Sequence, residues 1–292
     1  MRAQFAILPD GRRHFHDGPI DLILQAWGDD VAAAYAAAAS RFATILDELC
    51  RELPRLRSAG GPPPQGVVAR RMTEAVAPFA QMRFLTPMAA VAGAVAQEIL
   101  AAMTEAAALE RAYVNNGGDI ALHLCPDAAL TLGMVARPDR PSLFGKARIT
   151  GRDKVRGVAT SGWRGRSLSL GVADAVTVLA RTAPQADAAA TLIANAVDLP
   201  GHPAITRAPA RARDPQSDLG PRLVTLAVGP LSEAEIETAL DGGEREARQW
   251  RARGLIEAAA LSLNGRIRLV GADASHYTFE RPALSEPLHA QG

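Results

Sequence analysis

Near residue 111 the spacing of apolar residues changes, and that change limits the fold more than any other feature. Upstream, Val31, Ala34, Tyr35, Ala38, Phe42, Ile45, Leu46 and Leu49 recur three and four apart. This is the spacing of one helix face, and it predicts a helix over 30–57 capped by Asp29 or Asp30. The run PMAAVAGAVAQEILAAMTEA predicts a second helical region over 87–106. Between them lies SAGGPPPQG (58–66), whose glycines and prolines cannot hold a helix and mark an exposed loop. Downstream the apolar runs shorten to strand length at 111–115, 119–125, 130–136, 146–150, 156–160 and 172–180, and a helix follows at 185–197. The expected fold class is therefore α/β, with mixed β-sheets packed against long helices: the strands of 111–180 form a sheet covered by the two upstream helices.

The ends extend this plan. Residues 3–8 and 20–26 are apolar runs around Asp10-Gly11 and Asp17-Gly18, which reads as one β-hairpin with a long loop. HPAITRAPARARDPQSDLGP (202–221) reads as a polar linker. A strand (222–229) and a helix (232–252) come next, the helix opening on a Ser232–Glu235 capping box. A final hairpin turns at Asn264-Gly265. No internal repeat occurs at a fixed period. The reading is one domain over 1–280 and a flexible C-terminal tail over 281–292.

With 292 residues, 48% of them apolar, such a domain can bury a large core. A net charge of +1 gives no broad attraction to nucleic acid or to an anionic membrane, so an anionic ligand must be held by local groups. Cys50 and Cys125 stand far apart and read as reduced core residues. The N-terminus turns polar by residue 9, and the alanine-rich helices meet charge or polarity before 18 clean apolar residues. A cytoplasmic protein is expected, with homo-oligomerisation left open.

Three segments carry residues suited to chemistry. Asn115-Asn116-Gly117-Gly118-Asp119 lies between two strands. It is either a hairpin turn or a place where a ligand meets backbone, with Asp119 accepting from it. Ala159-Thr160-Ser161-Gly162 ends a strand in hydroxyls and glycine, followed by Trp163 for stacking and Arg164 and Arg166 for phosphate. It is a phosphate cradle or an ordinary loop. Asp187 and Thr191 are four apart and share a helix face, extended by Asn195. They form a hard-cation site, or Asp187 is a helix cap and Thr191 packs. The small residues Ala89, Gly93 and Ala96 serve tight packing, or a helix N-terminus facing a bound phosphate.

Together NNGGDIALHL, ATSG and VADAVTVLARTAPQADAAATLIANAV resemble, in order and spacing, the N-x-G-G-D-I segment, the serine–glycine loop and the A-D-A-x-x-T helix of the ApbE superfamily. The likeness is closest to an uncharacterised cytoplasmic ApbE-like branch, and it is strongest over about residues 80–205. It implies a flavin nucleotide, FAD or FMN, and Mg2+. It implies transfer of FMN from FAD to a threonine of a flavin-acceptor protein. By motif match, Asp187 and Thr191 would be metal ligands, and Asn116, Gly117, Gly118, Asp119, Thr160, Ser161 and Gly162 would bind the cofactor. Two family features are missing. The segment resembling G-G-I-A-K-G-Y reads AAVAGAVAQE, without lysine or aromatic residue, and the H-I-I-D-P-x-T-G segment is shortened to SLGVADA. No catalytic residue is assigned. The alternative is a non-transferring member that binds a flavin or another nucleotide-like ligand, as a component of a reductase.

Overall fold

The computed structural model describes residues 3–135, 143–165 and 167–271. The chain opens with three strands, β1 (Gln4–Ile7), β2 (Arg13–Asp17) and β3 (Ile20–Gly28). The expected two-stranded hairpin is thereby corrected. Its supposed loop holds RHFHD, which alternates as a strand with Phe15 and Asp17 inward, a pattern masked by its charged and polar members. Next come α1 (Val31–Leu56), α2 (Val67–Ala80), a short 3-10 turn (Pro87–Ala90) and α3 (Val91–Ala106). The strands β4 (Leu109–Asn116), β5 (Asp119–Leu124), β6 (Ala129–Val135), β7 (Leu143–Thr150), β8 (Gly157–Ser161) and β9 (Ala175–Ala180) follow. The chain continues with α4 (Ala183–Ala196), β10 (Ile205–Pro209), α5 (Ala210–Arg213), β11 (Leu223–Val228), α6 (Glu233–Ala252), β12 (Ala258–Leu263) and β13 (Arg266–Val270). The α/β class expected from the sequence is the class observed. Residues 202–221 are not a plain linker, because they contain β10 and α5. The tail at 281–292 lies outside the described residues.

Among those residues nine strands form one sheet in the order β1-β2-β3-β4-β5-β8-β9-β12-β13, antiparallel at every pairing. One face carries the helices in matching order: α1 beside β2 and β3, α3 on β4 and β5, α4 on β8 and β9, α6 on β12 and β13. The sheet and its helices thus consist of two side-by-side units, β2-β3-α1-α3-β4-β5 and β8-β9-α4-α6-β12-β13. The first holds α2 between its helices; the second holds the β10–β11 ribbon there.

The units join where β5 pairs with β8 (Ile120↔Val158, Ala121↔Gly157) and where α3 packs on α4. Glycine permits the approach of α3 to α4 and, within the second unit, that of β8 to the start of α4. A Cβ at Gly93 would stand 2.4 Å from the Ala183 carbonyl oxygen, and one at Gly157 would stand 2.1 Å from the Thr182 carbonyl carbon.

The main core runs between sheet and helices, from Phe15 to Val270. A smaller cluster including Leu122, Ile149, Val158 and Leu179 fills the space between the other sheet face and the β6–β7 ribbon. The stretch Pro87–Ala106 is long and apolar enough in composition to cross a membrane, and 56% of its apolar 18-residue window is buried inside the fold. Its Glu98 is also buried, bonding Arg41 of α1 at 2.8 Å and Arg71 of α2 at 3.1 Å.

Candidate functional site

At the junction of the two units lies a cavity of about 870 Å³. All nine residues that the motif match assigns to cofactor or metal line it: Asn116, Gly117, Gly118 and Asp119 from the β4–β5 turn, Thr160, Ser161 and Gly162 from the end of β8, and Asp187 and Thr191 from α4.

The β4–β5 turn is a two-residue hairpin turn and a cavity wall at once. Asn116 pairs with Asp119 across it, leaving Gly117 and Gly118 at φ 64° and 116°, values that favour glycine. The Asn116 side chain is buried and already engaged. Its amide nitrogen donates to the Ala92 carbonyl at 3.2 Å, bracing the start of α3 against the turn.

In α4 the helix cap is Thr182, whose hydroxyl accepts from the Gln185 N–H, so Asp187 is not the cap. Asp187 sits inside the helix and aims its carboxylate at the start of α3. There Oδ2 accepts from the Gly93 N–H at 3.0 Å, and the Ala92 N–H adds a second bond. The first turn of a helix has unsatisfied N–H groups and the positive end of its dipole. The place at the α3 N-terminus considered for a bound phosphate is thus taken by an internal carboxylate. Burial deep in the cleft pushes the Asp187 carboxyl up to about 7, against the two amides, which pull it down.

The end of β8 differs from the expected amide cradle. The Thr160 N–H donates to Asp119 Oδ1 at 3.2 Å, the Trp163 N–H to the Ala173 carbonyl and the Gly165 N–H to the Gly162 carbonyl. These amides serve the protein itself. Thr160 and Thr177 share a hydroxyl bond at 2.9 Å. Arg164 is held through Nε by the buried Asp174 at 2.8 Å and lies 4.2 Å above the Trp163 ring, so that ring face is taken while Arg164 itself lines the cavity. Arg166 lies outside the described residues. Asn195 accepts from the Leu170 N–H at 2.8 Å and pins the loop before β9.

Around Asp187 and Thr191 the cavity offers carboxylate, hydroxyl and amide oxygens. Hard oxygens suit magnesium and not a soft metal. Among the described residues no group of three or more His, Cys, Asp or Glu side chains is ready to hold a metal. The donors present therefore fit a magnesium ion that keeps water and takes part of its shell from a ligand phosphate.

The facing wall was not read from the sequence. It is built by Phe84, Thr86 and Met88, by Leu132 and Met134 of β6, and by Asp214 and Gln216–Leu219. The Thr86 hydroxyl donates to Asp218, and Arg57 donates to the Gln216 side-chain oxygen at 3.2 Å, tying this segment across the opening. PQSDLG carries ordinary loop composition, which gave no signal of a wall.

A family model described as "AbpE bacteria" matches residues 5–269. The chain is 40% identical to a UPF0280 protein of Methanothrix thermoacetophila over 131 residues, which is 44% of this chain and 52% of that one. It is also 40% identical to a UPF0280 protein of Methanopyrus kandleri over 134 residues, 44% of this chain and 48% of that one. The chain spans about half the length of these curated relatives. The crystal structure of Pseudomonas stutzeri flavinyl transferase ApbE, apo form, superposes with a TM-score of 0.42 and 11% identity, covering 92% of this chain and 95% of that one.

Proposed function

This chain belongs to the family described as AbpE bacteria, and we propose that it binds a flavin nucleotide, FAD or FMN, together with magnesium in the cavity between its two units. The observation that carries the reading is convergence. Three segments far apart in sequence, each resembling a site segment of ApbE proteins, line one cavity. Its volume falls within the roughly 300–1,000 Å³ of small-molecule pockets.

Asp187 and Thr191 would hold the ion, and the turn at Asn116–Asp119 with Thr160, Ser161 and Gly162 would line the phosphate-bearing part of the nucleotide. A bound magnesium supplies the positive charge that lets a phosphate approach a carboxylate. The Gly93 and Ala92 amides orient the Asp187 carboxylate, whose remaining lone pairs would serve the ion. Because the amides of Thr160, Trp163 and Gly165 are engaged, few backbone donors remain for a phosphate. Nucleotide and ion should accordingly bind together or weakly.

FMN transfer from FAD to a partner protein is the finer reading. The threonine hydroxyl oxygen would attack the FMN phosphorus, and the bond from that phosphorus to the AMP oxygen would break. One observation favours the non-transferring alternative, in which the partner is a reductase protein. Among the described residues lining the cavity none is lysine or histidine, so proton handling would fall to carboxylates and hydroxyls.

Calorimetry with FAD, with and without magnesium, on wild type and Asp187→Asn tests the site. We expect magnesium-dependent FAD binding that drops at least about tenfold in the variant. Equal FAD binding with and without magnesium in both proteins would sink the proposal. Mass measurement of a threonine-bearing acceptor, incubated with FAD, magnesium and the protein, then separates transfer from binding alone.

A further inference from the structure

Outside the cavity, β2 and β3 bring two imidazoles and a carboxylate together. His14 and His16 are two apart on β2 and so project from the same face of the sheet. Asp21 on β3 is the direct cross-strand partner of His16. Both rings already turn a nitrogen toward that one carboxylate: His14 Nε2 lies 3.1 Å from Asp21 Oδ1, and His16 Nδ1 lies 3.6 Å from Asp21 Oδ2. None of the three lines the cavity.

We infer that His14, His16 and Asp21 form a second site, one for a divalent cation of the zinc class. The ligand chemistry is two imidazole nitrogens and one carboxylate oxygen with an outward side open to water, a set that suits zinc and its neighbours and not magnesium. Two ligand atoms on a tetrahedral zinc, with bonds of about 2.0–2.1 Å, are roughly 3.4 Å apart. His14 Nε2 stands 3.1 Å from Asp21 Oδ1 and His16 Nδ1 3.6 Å from Asp21 Oδ2, so each ring is already near ligand spacing from one oxygen of the shared carboxylate. The ring-to-ring distance is the part not yet closed. Two imidazoles on one such ion have centroids roughly 5.3 Å apart; these stand 6.4 Å apart, and the trio is not preformed for a metal. A shift of one ring centroid by about 1 Å closes the gap. That is inexpensive for side chains 31% and 42% exposed beside the Gly18 turn. On binding, the ion takes the place of the hydrogen between His14 Nε2 and Asp21, and any proton released goes to water. The ring presents the Nε2 lone pair and carries its remaining hydrogen on Nδ1. The ion would fasten β2 to β3 at the end of the sheet bordering β1.

The experiment is a zinc titration of the untagged full chain against a chromophoric chelator, with thermal unfolding in zinc and in EDTA. Wild type should take up one equivalent that raises its unfolding temperature. The His14→Gln/His16→Gln variant should lose that equivalent and its temperature shift, while its far-ultraviolet circular dichroism stays native. Asp21→Asn should weaken it at least about tenfold. Asp187→Asn should leave it unchanged, which keeps this site separate from the cavity. An equivalent that persists in the double histidine variant, or a wild type that takes up none, overturns the inference.

Discussion

The two ββααββ units share an order of elements and differ in what joins them. In the first unit the strand pairs close on tight turns, Gly18-Pro19 between β2 and β3 and Gly117-Gly118 between β4 and β5. In the second, β12 and β13 close tightly on Asn264-Gly265, but β8 and β9 are separated by residues 162–174. The first unit offers the N-terminus of α3 to the junction, and the second offers the Asp187 carboxylate that occupies it. The shared order builds the sheet, and the differences build the cavity. A site placed between two units needs both to stay in register, so its integrity depends on the junction more than on either unit.

That dependence gives the largest expected effect. Gly157→Ala puts a Cβ 2.1 Å from the Thr182 carbonyl carbon, and Gly93→Ala puts one 2.4 Å from the Ala183 oxygen. Both are backbone contacts that cannot swing aside. Each substitution should destabilise by about 3 kcal/mol or more in urea unfolding. Gly118→Ala, at a turn away from the packed contact, meets nothing within 4 Å and carries only the strain of φ +116°. It should cost about 1–2 kcal/mol. If Gly93→Ala, whose contact crosses from α3 to α4, costs no more than Gly118→Ala, the two units are not held by close packing at their seam.

The sequence disclosed elements whose signal is local. The Asn264-Gly265 turn appears with both residues at positive φ, and the Ser232–Glu235 capping box appears complete. Helix α1 follows its apolar spacing to within a residue. The site segments were each ambiguous by composition and spacing, and their resemblance in order and spacing to ApbE segments is what marked them. What stayed hidden depends on distant partners. Strand β2 was obscured because its outward residues are basic, and β10 because its backbone partner, β11, lies beyond a polar stretch. The shared order left no fixed period because α2 interrupts one unit and a β-ribbon the other, so corresponding elements fall at unequal distances. Nor could spacing reveal that Asp187 accepts from Gly93, a contact made only when α3 and α4 approach.

A smaller effect concerns that carboxylate. An aspartate ordinarily titrates near 3.9, and burial in the cleft pushes Asp187 up to about 7. Between those values the folded state holds the proton more tightly than the unfolded chain. Without metal, stability should therefore fall as pH rises from about 4 to about 7, and level off above. The direction follows from burial; part of the cost is relieved because the cavity admits water. Asp187→Asn should flatten the slope in thermal unfolding across that window, and saturating magnesium with nucleotide should flatten it in wild type. A wild-type slope of opposite sign, abolished by the same substitution, would mean that the amides of Ala92 and Gly93 outweigh burial.

The smallest effect compares the helix starts of the two units. In the second, α6 begins with a reciprocal cap: the Glu235 N–H donates to the Ser232 hydroxyl at 3.4 Å, and the Ser232 N–H donates to Glu235 Oε2 at 2.6 Å. The Ser232 backbone N–H and the His202 ring hold the Glu235 carboxyl down at about 2. Its contribution is fully present above the ordinary glutamate range and is lost as pH falls through about 2. In the first unit, α1 starts at Asp30, which accepts from the Ala33 N–H at 3.3 Å but sits at φ 48°, a left-handed conformation costly for a side chain. Ser232→Ala removes a cap without relieving strain and should cost about 1 kcal/mol. Asp30→Gly removes a cap and relieves the strain together, so the net change should be only about a few tenths of a kcal/mol. Chemical denaturation of the two variants at pH 7 checks the difference. Equal losses would mean that Asp30 carries no conformational strain, and that the two units anchor their helices equally well.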